Sequence, residues 1–419
     1  MERLVYSSAS RIAIVLAASA AAVMLAACSS SSAGSGNTAP HAVGGGGSSP
    51  ASGPPITIME ISGVTGPVAE GHLARPGIQA AVKAINAAGG IRGHQVDLVL
   101  CDDQSQLATA ASCADQAASD SSIIATVSNN TQMTPAIDPV LEKARIASIG
   151  GIPYTPSDFT SPILFPTEGG GLAITAGMNE FPARMGDKKI ALMVFDTSGG
   201  AAAAAFVNGE LKSLYNQNVD AVLVPASTID ITSSVAAVIA RHPDAVALAI
   251  PQNLSVAAIN ELRAQGYQGM IVGPAEALPR AVLKRVNNPG KLYVNGSYSY
   301  RSPAYRTFQS EMAKYQPSDQ VNDYALSAWL PMHMFADVMS KSTQPLTRDG
   351  VLAAFNSLSD YTTQGLTPTL NYTKKNPAKG FDRLMNMTQV LHEVTGSGTN
   401  DITPVEFLNT LTGVAVPAR

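Results

Sequence analysis

The sequence predicts an α/β fold made of two successive series of parallel strands, each laid out as right-handed βαβ units. Three observations carry this reading. Short Val/Ile/Leu/Ala runs alternate with helical runs along the body of the chain. The strand runs are continuously apolar, as strands covered on both faces are. The alternation breaks once, within residues 155–179, which divides it into two series.

The first strand is Ile56-Thr57-Ile58-Met59-Glu60-Ile61, and the turn Gly63-Val64-Thr65-Gly66-Pro67 follows it. Ile78, Ala81, Val82 and Ile85 then recur at i, i+3, i+4 and i+7, the spacing of one buried helix face. Gly89-Gly90 stops that helix, because glycine tolerates the left-handed cap conformation. The second strand is Val96 to Cys101, with a helix over Leu107 to Ala118. Between them Asp102-Asp103 is expected to cap that helix or structure the turn. Strands at 123–127 and 146–149 flank a helix at 134–144. The second series has strands at 190–195, 221–224, 245–250, 270–272 and 292–294. Its helices are expected at 201–215, 231–241, 254–265 and 278–286. Trp329, Met332, Met334 and Phe335 read as the core face of a late helix.

The formal net charge of -4 supplies no basic field for nucleic acid, so no nucleic-acid partner is expected. Hydrophobic content of 45% against 14% charge provides a large core. None of the 6 histidines falls in an HExxH arrangement, and neither a Gly-x-Ser-x-Gly elbow nor a Gly-x-x-x-x-Gly-Lys loop occurs. The expectation is therefore a binding protein and not an enzyme, without metal or cofactor.

The amino terminus reads as an export signal over residues 1–27: Arg3 and Arg11, an apolar stretch from Ile12, and the small residues Ala26-Ala27. The run Leu25-Ala26-Ala27-Cys28 resembles the lipobox of bacterial lipoproteins. That resemblance implies cleavage before Cys28, acylation of its thiol, and a membrane tether through lipid on the outer face of the cytoplasmic membrane. Residues 28–55 are almost wholly Ser, Gly, Ala, Pro, Thr and Asn, which cannot bury enough apolar surface to offset their ordering entropy, so a flexible linker is expected there. Of the 3 cysteines, Cys101 and Cys113 remain as an even pair in an exported chain. A helix returning over its own strand brings them together as a disulfide; two free buried thiols are the alternative.

Several segments in order resemble type I periplasmic binding proteins, the Leu/Ile/Val-binding family of ABC importers. They are Thr65-Gly66-Pro67, Gly77 to Ala81, Ile85 to Gly93, Val96 to Asp103, Ala144 to Ile149, Asn322 to Ala328, and Leu346 through Pro368. The resemblance covers most of Ile56 to Val394. It implies two Rossmann-like lobes with parallel sheets joined by three hinge crossings. Lobe one is expected at 56–171 plus 299–379, and lobe two at 172–298 plus 380–419.

Loops at the carboxyl ends of parallel strands border the ligand crevice of such sheets. That rule selects Asn130, Thr131 and Gln132 after the third strand, where helix capping is the competing role. It also selects Gly150, Gly151 and Tyr154 after the fourth strand, with an ordinary turn as the alternative. In lobe two it selects Ser198, Asn253 and Glu276. By the resemblance, the loop of Asn130 to Gln132 offers groups to a carboxylate. Glu276 falls near the acid that takes the ammonium in amino-acid-binding members; a surface carboxylate at a helix start is the alternative. Members often carry an aromatic residue in the first lobe-two loop, where this chain has Gly200 and then Ala201 to Ala205. That departure counts against branched-chain amino acids specifically. Tyr298, Tyr300 and Tyr305 cluster at the return crossing and read mainly as packing.

The resemblance implies a monomeric, extracytoplasmic receptor. It would capture a small amino-acid-like, amide or organic-acid solute and deliver it to an ABC permease with its ATPase. A ligand-sensing lipoprotein that signals through a membrane partner, and more remotely a hydrolase, are the alternative readings.

Overall fold

The computed structural model describes residues 52–417, except 68, 226, 397, 403 and 404, and at Ser198 the backbone alone. The export signal, the Cys28 lipidation site and nearly all of the expected linker lie outside the described residues.

The first half builds one sheet. Its elements are β1 (Gly53–Ser62), α1 (Gly71–Ala87), β2 (His94–Asp102), α2 (Leu107–Ser119), β3 (Ile123–Val127), α3 (Thr134–Ala144), β4 (Ala147–Ile149), α4 (Pro156–Thr160) and β5 (Leu164–Phe165). Five parallel strands lie in the order β2-β1-β3-β4-β5. Strand β1 begins at Gly53 and not at Ile56, because Gly53 already pairs with His94 across a register shift. Ala74, Ile78, Ala81, Val82 and Ile85 form the buried face of α1. Asn86 fixes the entry to β2: its side chain accepts from Val96 N at 2.8 Å and donates to Val96 O at 3.0 Å. A Cys101–Cys113 disulfide, with Cα atoms 6.0 Å apart, staples β2 to α2. Asp102 structures its turn as expected, with Oδ1 accepting from Val64 N at 3.0 Å and Gln104 N at 2.9 Å.

The chain then crosses to a second sheet. Its elements are α5 (Gly170–Met185), β6 (Ile190–Asp196), α6 (Ser198–Tyr215), β7 (Val219–Pro225), α7 (Thr232–Ile239), β8 (Ala245–Ala249), α8 (Gln252–Ala264), β9 (Met270–Pro274), α9 (Arg280–Leu283) and β10 (Leu292–Gly296). After β10 it returns to the first sheet as α10 (Pro303–Tyr315), α11 (Asp323–Lys341) and α12 (Arg348–Asn356). Phe308, Trp329, Met332, Met334, Phe335 and Phe355 join the same core as Ile58, Ile61 and Ile78. A third crossing leads to β11 (Thr388–Thr395), β12 (Gly398–Asp401), β13 (Glu406–Asn409) and β14 (Val414–Pro417).

The second sheet has nine strands in the order β14-β13-β11-β10-β9-β8-β6-β7, with β12 added on β11. Strands β6 to β10 are parallel, as expected. The last four strands are antiparallel, which the sequence reading did not anticipate. Short turns reverse the chain between β11 and β12 and between β13 and β14, where a helical crossover would not. Apolar clusters cover both faces of this sheet, one around Val246, Leu248 and Ile259, the other around Leu192, Met178 and Leu211.

Candidate functional site

In each sheet the strand order reverses, between β1 and β3 in the first and between β6 and β8 in the second. A crevice forms outside the carboxyl ends of the strands at such a point. In the first sheet the loops there are stitched together. Gly63 N donates to Asn130 O at 3.1 Å, and Asn130 N donates to Ser62 Oγ at 3.1 Å. Asn130 is buried and its Nδ2 has no partner. Thr131 is buried, and its hydroxyl accepts from Met133 N at 2.9 Å, while Gln132 is exposed. Gly150 and Gly151 take positive φ of 71° and 87°; a Cβ on Gly150 would overlap Pro331, and one on Gly151 would overlap the Asn129 carbonyl. Tyr154 is partly buried, and its hydroxyl donates to Glu70 Oε2 at 3.2 Å. In the second sheet, the Ser198 backbone opens α6 and Asn253 is exposed near the start of α8.

Glu276 lies in the loop after β9, 5% exposed, and neither of its carboxyl oxygens has a hydrogen-bond partner. Burial pushes its pKa well above the usual carboxylate range, and the carboxylates of Asp323, Glu168 and Glu70 push it further. Tyr154 and Tyr324 feel the same acids: burial first, then Glu70 and Glu276, raise both phenols well above their ordinary value. Sequence-distant loops of both sheets thus meet around Glu276, and it and Tyr154 share one electrostatic environment.

The remaining acids come from the crossings, and sequence reasoning did not single them out. Glu168, on the first crossing, accepts from Ser297 Oγ at 2.9 Å and Tyr298 OH at 2.6 Å on the second. Gln389, on β11, donates to Ser297 Oγ at 3.1 Å, so all three crossings share one hydrogen-bonded network. Burial raises Glu168 to about 7, against the two hydrogen bonds that favour its anion. Asp323, the first residue of α11, accepts from Tyr300 OH at 3.0 Å through Oδ1. Burial raises it to about 7 as well, with Glu168 and Asp401 adding to the effect. His392 Nδ1 pairs with Asp401 Oδ1 at 2.9 Å, and Tyr300 stacks on the imidazole with ring centroids 4.0 Å apart. Tyr298 is fully buried in the first core, in line with the packing role expected of it, whereas Tyr300 and Tyr305 also line a cleft. That cleft, of about 460 Å³, opens beside Tyr300, Tyr305, Asp323 and Asp401, with Arg280 and Arg301 on its wall. The signals available in the sequence were Asn322-Asp323-Tyr324, part of the family resemblance, and Glu168 ahead of three glycines at the break between series.

Among the described residues no group of His, Cys, Asp and Glu is placed to hold a metal ion, and no helix is long and apolar enough to cross a membrane.

Two α/β sheets joined by repeated crossings, with buried acids and tyrosines between their loop ends, define a two-lobed binding protein of the type I architecture. The chain belongs to the periplasmic binding protein family, whose model matches residues 55–394. Solved structures agree on the fold. A fatty acid ABC transporter substrate-binding protein from Thermomonospora curvata is 17% identical with a TM-score of 0.71, covering 88% of this chain and 97% of that one. A substrate-binding periplasmic protein from Ralstonia solanacearum is 18% identical with a TM-score of 0.68, covering 83% and 99%. A branched-chain amino acid transporter substrate-binding protein from Streptococcus pneumoniae, in complex with isoleucine, is 18% identical with a TM-score of 0.66, covering 84% and 100%. A comparison with curated protein sequences finds no match.

Proposed function

We propose that this chain is an extracytoplasmic solute receptor that closes its lobes on a small amino-acid-like ligand and hands it, unchanged, to an ABC permease and its ATPase. The lobes are taken as 56–171 plus 299–379 and 172–298 plus 380–419, closing as a monomer about the crossings, with Cys28 as lipid anchor. Glu276 carries the reading. A carboxyl that is 5% exposed with both oxygens unpartnered is costly to keep, and a ligand ammonium is the partner it lacks. Asn130 and Thr131 with the backbone of Gly150 and Gly151 would face the ligand from lobe one, beside Tyr154. Ser198, Asn253 and Gln132 would close over it. Two solved relatives are titled for fatty acid and branched-chain amino acid transport. The buried acids favour an ammonium-bearing solute over a fatty acid, because a cation stabilises the ionised carboxylates that burial disfavours, whereas a second carboxylate does not.

Calorimetry against a panel of amino acids, short amides and organic acids tests this. At least one amino-bearing solute should bind, and Glu276→Ala should weaken it more than about tenfold, on the order of 1.4 kcal/mol. Unchanged affinity in that variant would remove Glu276 from the site, and turnover of a bound solute would remove the receptor reading.

A further inference from the structure

The hinge side of the site carries more acceptors than one ammonium can use. Asp323 is 3% exposed; its Oδ1 accepts from Tyr300, while its Oδ2 has no partner. His392 is fully buried, and its Nε2 has no partner either. Both atoms pack beside Gly296, where a side chain would not fit. A Cβ there would lie 3.0 Å from Asp323 Oδ2 and 3.8 Å from His392 Nε2, with Ala275, the neighbour of Glu276, at 2.9 Å.

Burial would raise Asp401, but bonds from His392, Ser299 and the Tyr300 N–H hold it below the usual carboxylate value, so it is ionised and accepts from Nδ1. With Nδ1 engaged by Asp401, Nε2 is left without a partner and lies beside Gly296. Glu276, Asp323 and His392 together hold four buried polar atoms that have no hydrogen-bond partner.

We propose that Asp323 and His392 form, beside Glu276, a second subsite that takes a cationic nitrogen group at the far end of the ligand. The solute is then a basic amino acid or a diamine. This rests on the receptor reading and narrows its ligand class. A terminal ammonium or guanidinium brings several N–H donors to acceptors that have none, and charge-assisted bonds of that kind are the strong ones. Asp323 also lines the cleft of about 460 Å³, whose wall carries Arg280 and Arg301 as well as Asp401. Burial, which raises Asp323 to about 7, is offset once a cation arrives.

The test compares L-lysine, L-arginine and 1,4-diaminobutane with L-norleucine, which keeps the lysine backbone and lacks the terminal amine, and with octanoate. Calorimetry on the full mature chain should show lysine, arginine or the diamine binding at least about tenfold tighter than norleucine, the size expected of a hydrogen bond to a charged group. Asp323→Asn should bring the lysine-to-norleucine ratio close to one. The wild-type ratio stands as an independent reading if that variant does not fold. Norleucine binding as tightly as lysine would overturn the second subsite and leave the receptor reading intact. Loss of lysine and norleucine affinity in equal measure in Asp323→Asn would do the same. Silence of all the amines while octanoate binds would overturn the cationic ligand class, and silence of every probe would overturn both readings.

Discussion

The Tyr298 hydroxyl donates to Glu168 Oε1 at 2.6 Å, across 130 positions of sequence. The bond ties the first crossing to the second at the pivot about which the proposed lobes would turn, and it places a carboxyl in a fully enclosed setting. Ser297 is the other donor to that carboxyl, and Glu276 and Asp323 are the carboxyls that feel its charge.

Stability should consequently fall as pH rises through neutrality. The pKa of Glu168 goes from an ordinary 4.5 to about 7 in the fold. Below 4.5 both states hold the proton and its contribution is complete. Between the two values the unfolded chain releases the proton first, which costs the fold up to about 1.4 kcal/mol per pH unit for this group. Above about 7 the loss levels off. Asp323, also raised to about 7, acts in the same direction. Urea midpoints taken from pH 5 to pH 8 should decline, and Glu168→Gln should flatten the decline and raise the midpoint at pH 8. A Gln variant with the wild-type slope would show that Glu168 ionises normally in the fold.

The second prediction concerns Arg75. Glu60 is fully buried on β1, and Arg75 of α1 donates to its Oε2 from Nη2 at 2.7 Å and from Nε at 3.0 Å. Ser62 bonds the other oxygen, and Nη2 also reaches Cys101 O at 3.1 Å. Arg75→Met leaves the carboxyl buried without its cation and should cost about 3–5 kcal/mol in urea unfolding. Glu60→Leu combined with Arg75→Met removes both charges and should recover much of that loss. A single variant within about 1 kcal/mol of wild type would mean that Glu60 is already neutral in the fold.

How far the site was legible depended on how local its signal was. The strands β1 to β4 and β6 to β10 each carry a short apolar-rich run between turn residues, so their succession along the chain and the loops after them could be read directly, and Tyr154 and Glu276 came with those loops. Gly53-Pro54-Pro55 has the composition of a linker; only pairing with β2 makes it strand. Strand β5 has two residues, too few for any periodic signal. The antiparallel strands at the end, such as Thr388-Gln389-Val390-Leu391-His392, mix polar and apolar residues without a continuous run. Glu168, Asp323 and His392 were out of reach for another reason. Each sits on or next to a different crossing, and nothing short of the folded hinge puts residues so far apart in sequence beside one another.

The third prediction separates packing from binding at Gly150. The sequence placed this residue in a ligand loop, and its backbone N–H is already committed to Phe165 O at 2.9 Å. Its φ of 71° lies in the left-handed region, where a side chain costs about 1–2 kcal/mol. A Cβ would also run into the Pro331 ring of α11, and overpacking of that kind costs about 1–3 kcal/mol. Gly150→Ala should therefore lower the urea midpoint clearly in ligand-free protein, because both penalties act before any solute is present. If instead the variant keeps wild-type stability and loses only solute affinity, Gly150 serves the ligand directly and its contact with Pro331 is slack.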